Sequence, residues 1–152
     1  MANLGHAKSF RDLVVYQKAR ALSQEIFRLT AAFPREEMFS LTSQIRHSSR
    51  SIGANLAEAW AKRRYEKHFV SKLTDADGEQ QETQHWIDTA ANCSYWTKET
   101  AASLRAQCEE IGRLLNGMID KAYLFCGDPS RSLREPSPEY LITDDHPPTT
   151  DY

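Results

Sequence analysis

A chain of 152 residues with 40% hydrophobic and 26% charged residues has the composition of one ordinary globular domain. Its net charge of −2 excludes a strongly basic protein, and no apolar run approaches the length needed to cross a bilayer. Three cysteines without a hydrophobic secretory leader predict reduced thiols in a cytoplasmic protein that does not bind membranes.

The first predicted helix follows a short flexible lead, residues 1–8, and begins where Ser9 and Asp12 have the spacing of a capping box. Pro34 ends this helix and can open the second one, which would place Glu36 and Glu37 at the positive end of the second helix. Apolar residues recur every three or four positions between these limits, which is typical of one helical face. They are Val15, Ala19, Leu22, Ile26, Leu29 and Phe33.

The second predicted helix carries an apolar face formed by Leu41, Ile45, Ile52, Leu56 and Trp60. A polar stripe with helical spacing runs beside it and consists of Gln44, Ser48, Ser51, Asn55, Glu58 and Lys62. We interpret this stripe as a buried polar seam that specifies helix register, or as a subunit contact. The alternative is direct contact with a ligand.

A break near residues 63–65 is expected to separate the second helix from the third, although no Gly or Pro marks it. Gly78 predicts either tight packing or a bend, because Gly costs about 1 kcal/mol relative to Ala inside a helix. The apolar face of the third helix is Phe69, Leu73, Ala76, Thr83, Ile87 and Ala90.

Ser94 or Thr97 can cap a fourth helix, and Gly127 followed by Pro129 is expected to stop it. Its apolar face is Leu104, Cys108, Ile111, Leu115, Met118 or Ile119, and Ala122. Residues 127–152 hold five of the six prolines and a net charge of −4, which predicts a disordered acidic tail. No segment alternates as a strand does. The sequence therefore predicts an all-α protein, an antiparallel up-down four-helix bundle over residues 9–126.

Basic side chains are concentrated between Leu41 and Lys72, where seven basic residues accompany only two acidic ones. Lys and Arg bind phosphate backbones, so this segment is a candidate nucleic-acid-binding surface, with Tyr65 and His68 able to stack or donate. The basic residues are Arg46, Arg50, Lys62, Arg63, Arg64, Lys67 and Lys72. The alternative is a solvated helix face on which Glu58 and Glu66 are local partners.

No set of residues predicts a catalytic site, a metal site or a cofactor. Glu82 and His85 form one Glu-x-x-His step, whereas di-iron bundles need two such steps and two further glutamates, so an exposed acidic face is the prediction. Cys93 and Cys108 have no evident His and Asp partners and are predicted to be core or near-core thiols. We therefore expect a protein without enzymatic activity.

The segment Ser51-Ile52-Gly53-Ala54-Asn55-Leu56-Ala57-Glu58 resembles a motif of the bacterial four helix bundle protein family. Founding members of that family are encoded within intervening sequences of large-subunit ribosomal RNA genes. Other segments agree in order, among them Phe10-Arg11-Asp12-Leu13, Leu41-Thr42-Ser43-Gln44-Ile45-Arg46, and Ala76-x-Gly78 with Glu82 and Thr83. The chain departs from the pattern at Ala59 and Glu79, where the family usually has Gly and Ser.

The resemblance implies a four-helix bundle that assembles into a ring-shaped homopentamer, with Gln44, Ser51, Asn55 and Glu58 as bundle or subunit contacts. It also implies a non-enzymatic role linked to RNA or DNA. The accessory proteins of diversity-generating retroelements are similar in fold, and through them a reverse transcriptase becomes an expected partner. A protein–protein scaffold that binds no nucleic acid is the alternative.

Overall fold

The computed structural model describes residues 7–127, which form four long helices and no β-strand. The helices are α1 (Val14–Thr30), α2 (Leu41–Ala61), α3 (Glu66–Asn92) and α4 (Lys98–Asp120). Three short 3-10 helices, Phe10–Asp12, Arg35–Glu37 and Ala122–Leu124, lie before or after them. The all-α prediction is confirmed for this part of the chain, and the predicted acidic tail lies outside it from residue 128 onward.

Neighbouring helices are antiparallel, because along each pair of helices the contacting residue numbers rise on one helix and fall on the other. Helix α1 contacts α2 through Tyr16–Gly53 and Thr30–Arg46, and α2 contacts α3 through Ser48–Thr83 and Glu58–Lys72. Helix α3 contacts α4 through Gln80–Gly112 and Asp88–Arg105, and α4 contacts α1 through Lys18–Glu110 and Glu25–Gln107. None of the helices in residues 7–127 is both long and apolar enough to span a bilayer.

The predicted apolar faces meet in one core. Every residue assigned to the faces of the second and third helices is buried, and Met118 rather than Ile119 is the buried choice in α4. Leu29 and Phe33 are only partly buried. Burying a Leu, Ile or Phe side chain stabilises the fold by roughly 1.5–3 kcal/mol each, so these faces hold the bundle together.

The capping box at Ser9 is present, but it opens a 3-10 turn rather than the α-helix itself. The Asp12 carboxylate accepts the Ser9 N–H at 3.1 Å, and the Ser9 hydroxyl accepts the Arg11 N–H at 3.2 Å. Leu13 then adopts an extended backbone with its side chain fully buried, so α1 begins only at Val14. Ala7, within the predicted loose lead, is also buried.

The prediction that Pro34 opens the second helix is wrong by seven residues. Pro34 precedes the 3-10 helix Arg35–Glu37, and α2 begins at Leu41. Glu37 nevertheless lies at the positive end of α2. Hydrogen bonds from the Ser40 hydroxyl, the Tyr95 hydroxyl and the Leu41 backbone lower the pKa of the Glu37 carboxyl.

The break between α2 and α3 is confirmed at residues 62–65, whereas the predicted stop at Gly127 is wrong. Thr97 caps α4 by accepting the Thr100 N–H at 3.1 Å, and α4 ends at Asp120. The chain then turns back over the bundle, where Phe125 stacks on Phe69 with ring centroids 5.8 Å apart. This packing closes the end of the bundle next to the α2–α3 turn.

Gly78 neither packs tightly nor interrupts its helix. A β-carbon built there would meet nothing within 4 Å, and α3 continues through it. The close approach occurs instead at Gly112, where a β-carbon would lie 2.8 Å from Nε2 of Gln80. The tight-packing alternative for Gly78 is therefore wrong in the single chain.

Candidate nucleic-acid interface

The turn between α2 and α3 brings together exposed cations and exposed rings. Lys62, Arg64 and Lys67 are exposed, and Tyr65 is 58% exposed. The Tyr65 and His68 ring centroids are 5.4 Å apart, and the Arg64 guanidinium carbon lies 5.9 Å from the Tyr65 ring centroid. We call Lys62, Arg64, Tyr65, Lys67 and His68 the basic turn.

Local structure explains why these side chains point outward. The Lys62 N–H donates to the Glu58 and Ala59 carbonyls and completes α2, and the Tyr65 N–H donates to the Lys62 carbonyl at 3.1 Å to close the turn. Tyr65 is the N-cap of α3 but makes no side-chain cap, so its ring is not held against the helix end. Phe69, one turn later, is buried and anchors the start of α3.

Arg63 lies in the middle of this turn but does not belong to its exposed surface. It is only 5% exposed, its guanidinium carbon lies 3.4 Å from the Trp60 ring centroid, and its Nε donates to the Trp60 carbonyl at 2.9 Å. Its carbonyl accepts the Gly127 N–H at 3.0 Å. The prediction that Arg63 holds a phosphate is corrected, because its guanidinium is buried against Trp60 and does not lie on the exposed surface.

Lys72 is occupied by acidic neighbours. Its Nζ lies 2.8 Å from a Glu58 carboxylate oxygen and 3.8 Å from one of Asp75. The hydrogen bond to Glu58 raises the pKa of Lys72 and lowers that of Glu58. A phosphate would have to compete with these carboxylates, so Lys72 is a poorer phosphate ligand than the cations of the basic turn.

Arg46 and Arg50 form a second group, on the part of α2 that faces the end of α1. Arg46 donates from Nε to the Thr30 hydroxyl at 2.8 Å and from Nη2 to the Phe27 carbonyl at 3.3 Å. A cation there complements the negative end of the α1 dipole. Both guanidinium carbons lie over the Phe27 ring, at 4.6 and 5.4 Å, and Arg50 remains exposed. At helical rise Arg50 is about 20 Å from Arg64, so the two groups are separate on one chain.

The polar stripe of α2 is not a buried seam in the single chain. Gln44 and Glu58 are exposed, while Ser51 and Asn55 are partly buried and bond within their own helix, Ser51 to the His47 carbonyl at 2.8 Å and Asn55 to the Ser51 carbonyl at 2.9 Å. Their role as subunit contacts stays a prediction.

Ser48 is the one stripe member that is buried, and it accepts a hydrogen bond from the Thr83 hydroxyl at 2.9 Å. That pair links α2 to α3 inside the core. The sequence signal for it was Thr83 on the otherwise apolar face of the third helix and Ser48 on the polar stripe beside the apolar face of the second.

The residues considered for chemistry, Glu82, Cys93 and Cys108, lie in different local environments. Glu82 accepts a hydrogen bond from the Trp86 indole N–H at 3.1 Å, and within residues 7–127 no three His, Cys, Asp or Glu side chains form a group that could hold a metal. Cys108 is buried, and burial raises its pKa to about 12, so its reactive thiolate is scarce at neutral pH. Cys93 is exposed, and its prediction as a near-core thiol is wrong.

Sequence reasoning missed an exposed apolar group at the α1–α2 connection. Phe27 is 43% exposed, Met38 is 50% exposed and Phe39 is 91% exposed. The signal that could have found it is the pair of large apolar residues at 38 and 39, which precede the first buried residue of α2. We call Phe27, Met38 and Phe39 the apolar patch.

Comparisons with known proteins agree with this architecture. A family model described as 23S rRNA-intervening sequence protein matches residues 11–117. The chain is also similar to a crystal structure of a protein with unknown function from the S23 ribosomal protein family of Bacteroides thetaiotaomicron. The two are 31% identical with a TM-score of 0.64, and the match covers 70% of this chain and 96% of that one. No curated protein matches the chain.

Proposed function

The chain belongs to the 23S rRNA-intervening sequence protein family, and from that premise we propose that it is a non-enzymatic protein that binds structured RNA or DNA through the basic turn. The observation that carries the proposal is that three exposed cations, Lys62, Arg64 and Lys67, lie at the turn and the start of α3, with the exposed Tyr65 ring 5.9 Å from the Arg64 guanidinium carbon. The proposed location in the cell is the cytoplasm, where RNA is available.

The chemistry of the basic turn suits a backbone with exposed bases. Lys62, Arg64 and Lys67 would each neutralise a phosphate and release counterions. Tyr65 and His68 offer ring faces on which unpaired bases can stack, and such bases occur in the loops and bulges of structured RNA. Arg50 would add contacts where a long ligand also reaches the far part of α2.

Three cations give weak binding on their own, so we propose that the protein acts as an oligomer. The homopentameric ring implied by the family resemblance would repeat the basic turn five times. Linked weak contacts can raise affinity by factors of 10²–10⁴ without any new interaction. Light scattering of the purified protein should give the mass of about five chains, and a monomer would remove this avidity from the proposal.

The proposal is tested by reversing the charge of the basic turn. A fourfold rise in salt weakens a complex with three phosphate contacts by ~40-fold. Because the variant with Lys62→Glu, Arg64→Glu and Lys67→Glu removes three such contacts altogether, its affinity for a fluorescent RNA hairpin should fall by at least that factor. The matched control is Arg28→Glu, Lys98→Glu and Arg113→Glu, which changes the net charge equally at exposed sites elsewhere. Equal losses in both variants would mean that only net charge matters and would overturn the proposal.

The acidic residues of α3 favour a second candidate, a protein–protein scaffold or a partner of a nucleic-acid enzyme such as a reverse transcriptase. Asp75, Glu82 and Asp88 are exposed on one helix. Pull-down from lysate treated with nuclease separates the two candidates, because a scaffold keeps its partner and a nucleic-acid bridge does not. Loss of every partner on nuclease treatment would count against the scaffold.

A further inference from the structure

The apolar patch is an unusual surface on this chain. Among residues 7–127, only four large apolar side chains are exposed. Met38 and Phe39 lie in the α1–α2 connection, and Phe27 lies about one turn before the end of α1. Phe39 is 91% exposed, which leaves almost a whole ring in water. Single exposed apolar residues are ordinary, but grouped ones mark surfaces that are covered by something.

The surface next to the apolar patch is cationic. A groove of about 500 Å³ runs along α2 from Met38, and Arg46, His47 and Arg50 are among its lining residues. None of the lining residues is Asp or Glu. The guanidinium groups of Arg46 and Arg50, which line this groove with Met38, also lie over the exposed Phe27 ring. A complementary occupant would combine apolar side chains with carboxylates.

We propose that residues 139–145 of this same chain dock on this surface. Their sequence is Glu-Tyr-Leu-Ile-Thr-Asp-Asp, which places three consecutive apolar side chains between acidic residues and contains no Lys or Arg. Residues 128–152 contain no other run of three apolar residues. The apolar run would cover Phe39 and Met38, and the flanking carboxylates would face Arg46 and Arg50.

The chain is long enough to make this contact. The Gly127 N–H donates to the Arg63 carbonyl, which places the start of the C-terminal segment at the α2–α3 turn. At helical rise, Arg50 lies about 20 Å from Arg63, and Phe39, at the far end of α2, lies about 36 Å from it. The fourteen residues from Gly127 to Leu141 can span up to about 46 Å when extended. The segment therefore reaches Arg50 with length to spare, and its apolar run reaches Phe39 when the intervening chain is nearly extended.

Tethering makes even a weak contact effective. A short linker holds the segment at an effective concentration of about 1 mM, so a segment with a Kd of about 0.1 mM would be bound about 90% of the time. Docking would cover Arg50 and leave the basic turn open. The inference does not depend on nucleic-acid binding, since it concerns only two parts of one chain.

Hydroxyl-radical footprinting of the full-length protein tests the proposal from the groove side. Oxidation of Met38 and Phe39 should be up to about tenfold slower than in the variant Leu141→Ser, because the segment covers them about 90% of the time. Leu133→Ser is the control, since it makes the same change outside the proposed segment.

Rapid oxidation of Met38 in the wild type would show an empty groove. Slow oxidation that Leu141→Ser leaves unchanged would show another occupant, such as a second copy. Either result overturns the proposal.

The reciprocal measurement follows Tyr140 in the proposed segment. Phe39→Ser should make Tyr140 several-fold more reactive, while Tyr65→Ser, which also removes an exposed ring, should leave it unchanged. Phe39 is too exposed for its loss to unfold the bundle, so circular dichroism should match the wild type. Equal reactivity of Tyr140 in the wild type and in Phe39→Ser would contradict docking. Protection that persists on dilution would support contact within one chain, and protection lost on dilution would contradict it.

Discussion

Arg63→Ala should destabilise the protein without changing its interaction with phosphates. The substitution removes the stacking of a cation on Trp60, worth roughly 0.5–2 kcal/mol, and a charged hydrogen bond to the Trp60 carbonyl, worth roughly 1.5–3 kcal/mol. We therefore expect a loss of about 3 kcal/mol in the free energy of unfolding and a Tm roughly 10 °C lower. Exposed Arg64→Ala should change stability by no more than about 0.5 kcal/mol.

Circular dichroism during urea and thermal unfolding measures the stability of both variants, and anisotropy with labelled RNA measures their binding while they are folded. Arg63→Lys is the matched variant: it keeps the charge but loses the planar group, so it should recover only part of the stability. The reasoning is refuted if Arg63→Ala is as stable as the wild type, or if it weakens RNA binding more than Arg64→Ala does.

Three further predictions concern packing and thiol chemistry. Gly112→Ala should lower the free energy of unfolding by up to about 2 kcal/mol in urea titrations, because moving the Gln80 amide, 2.8 Å from the new β-carbon and hydrogen-bonded to Asp77, costs about 1–3 kcal/mol and helix propensity returns about 1 kcal/mol; a gain equal to that of Gly78→Ala would contradict the close packing. Gly78→Ala should raise the free energy of unfolding by about 1 kcal/mol in the same assay, because the site is open and helical. A lower free energy of unfolding would show that something covers Gly78. With iodoacetamide at pH 8, Cys93 should react quickly and Cys108 only after unfolding, since burial raises the Cys108 pKa to about 12; rapid native labelling of Cys108 would be contrary evidence.

The sequence predicted the number, order and inner faces of the helices because helical periodicity reports burial directly. It also predicted the break at residues 62–65. It could not predict that Arg63 is buried, since nothing in the local sequence distinguishes that cation from Lys62 or Arg64. Its guanidinium packs against Trp60, one turn before it, a contact that the order of residues does not reveal.

The polar stripe shows a limit of pattern reading. Around a helix of 3.6 residues per turn, its steps of four and three rotate by about +40° and −60°, so the members of the stripe spread over about 80°. Ser48 lies nearest the apolar face and is buried, while Gln44 and Glu58 lie farther from that face and are exposed. A regular spacing therefore predicted a common face but not a common burial.

The apolar patch escaped prediction for a related reason. Met38 and Phe39 precede α2 and are not part of its predicted apolar face, which starts at Leu41. The 3-10 helix Arg35–Glu37 delays the start of α2 to Leu41 and leaves both side chains outside the core. Turn geometry, rather than hydrophobicity, decides which of these residues is buried.

The most direct test of nucleic-acid binding by the basic turn is the salt dependence of affinity for a labelled duplex. Three phosphate contacts in each subunit that touches the duplex predict a slope of about −2.7 per subunit for log K against log salt, a loss of about 40-fold per subunit between 50 and 200 mM. Replacing Lys62, Arg64 and Lys67 by Gln should remove most of that slope. An affinity that does not fall with added salt, or a slope that the three substitutions leave unchanged, would contradict the account.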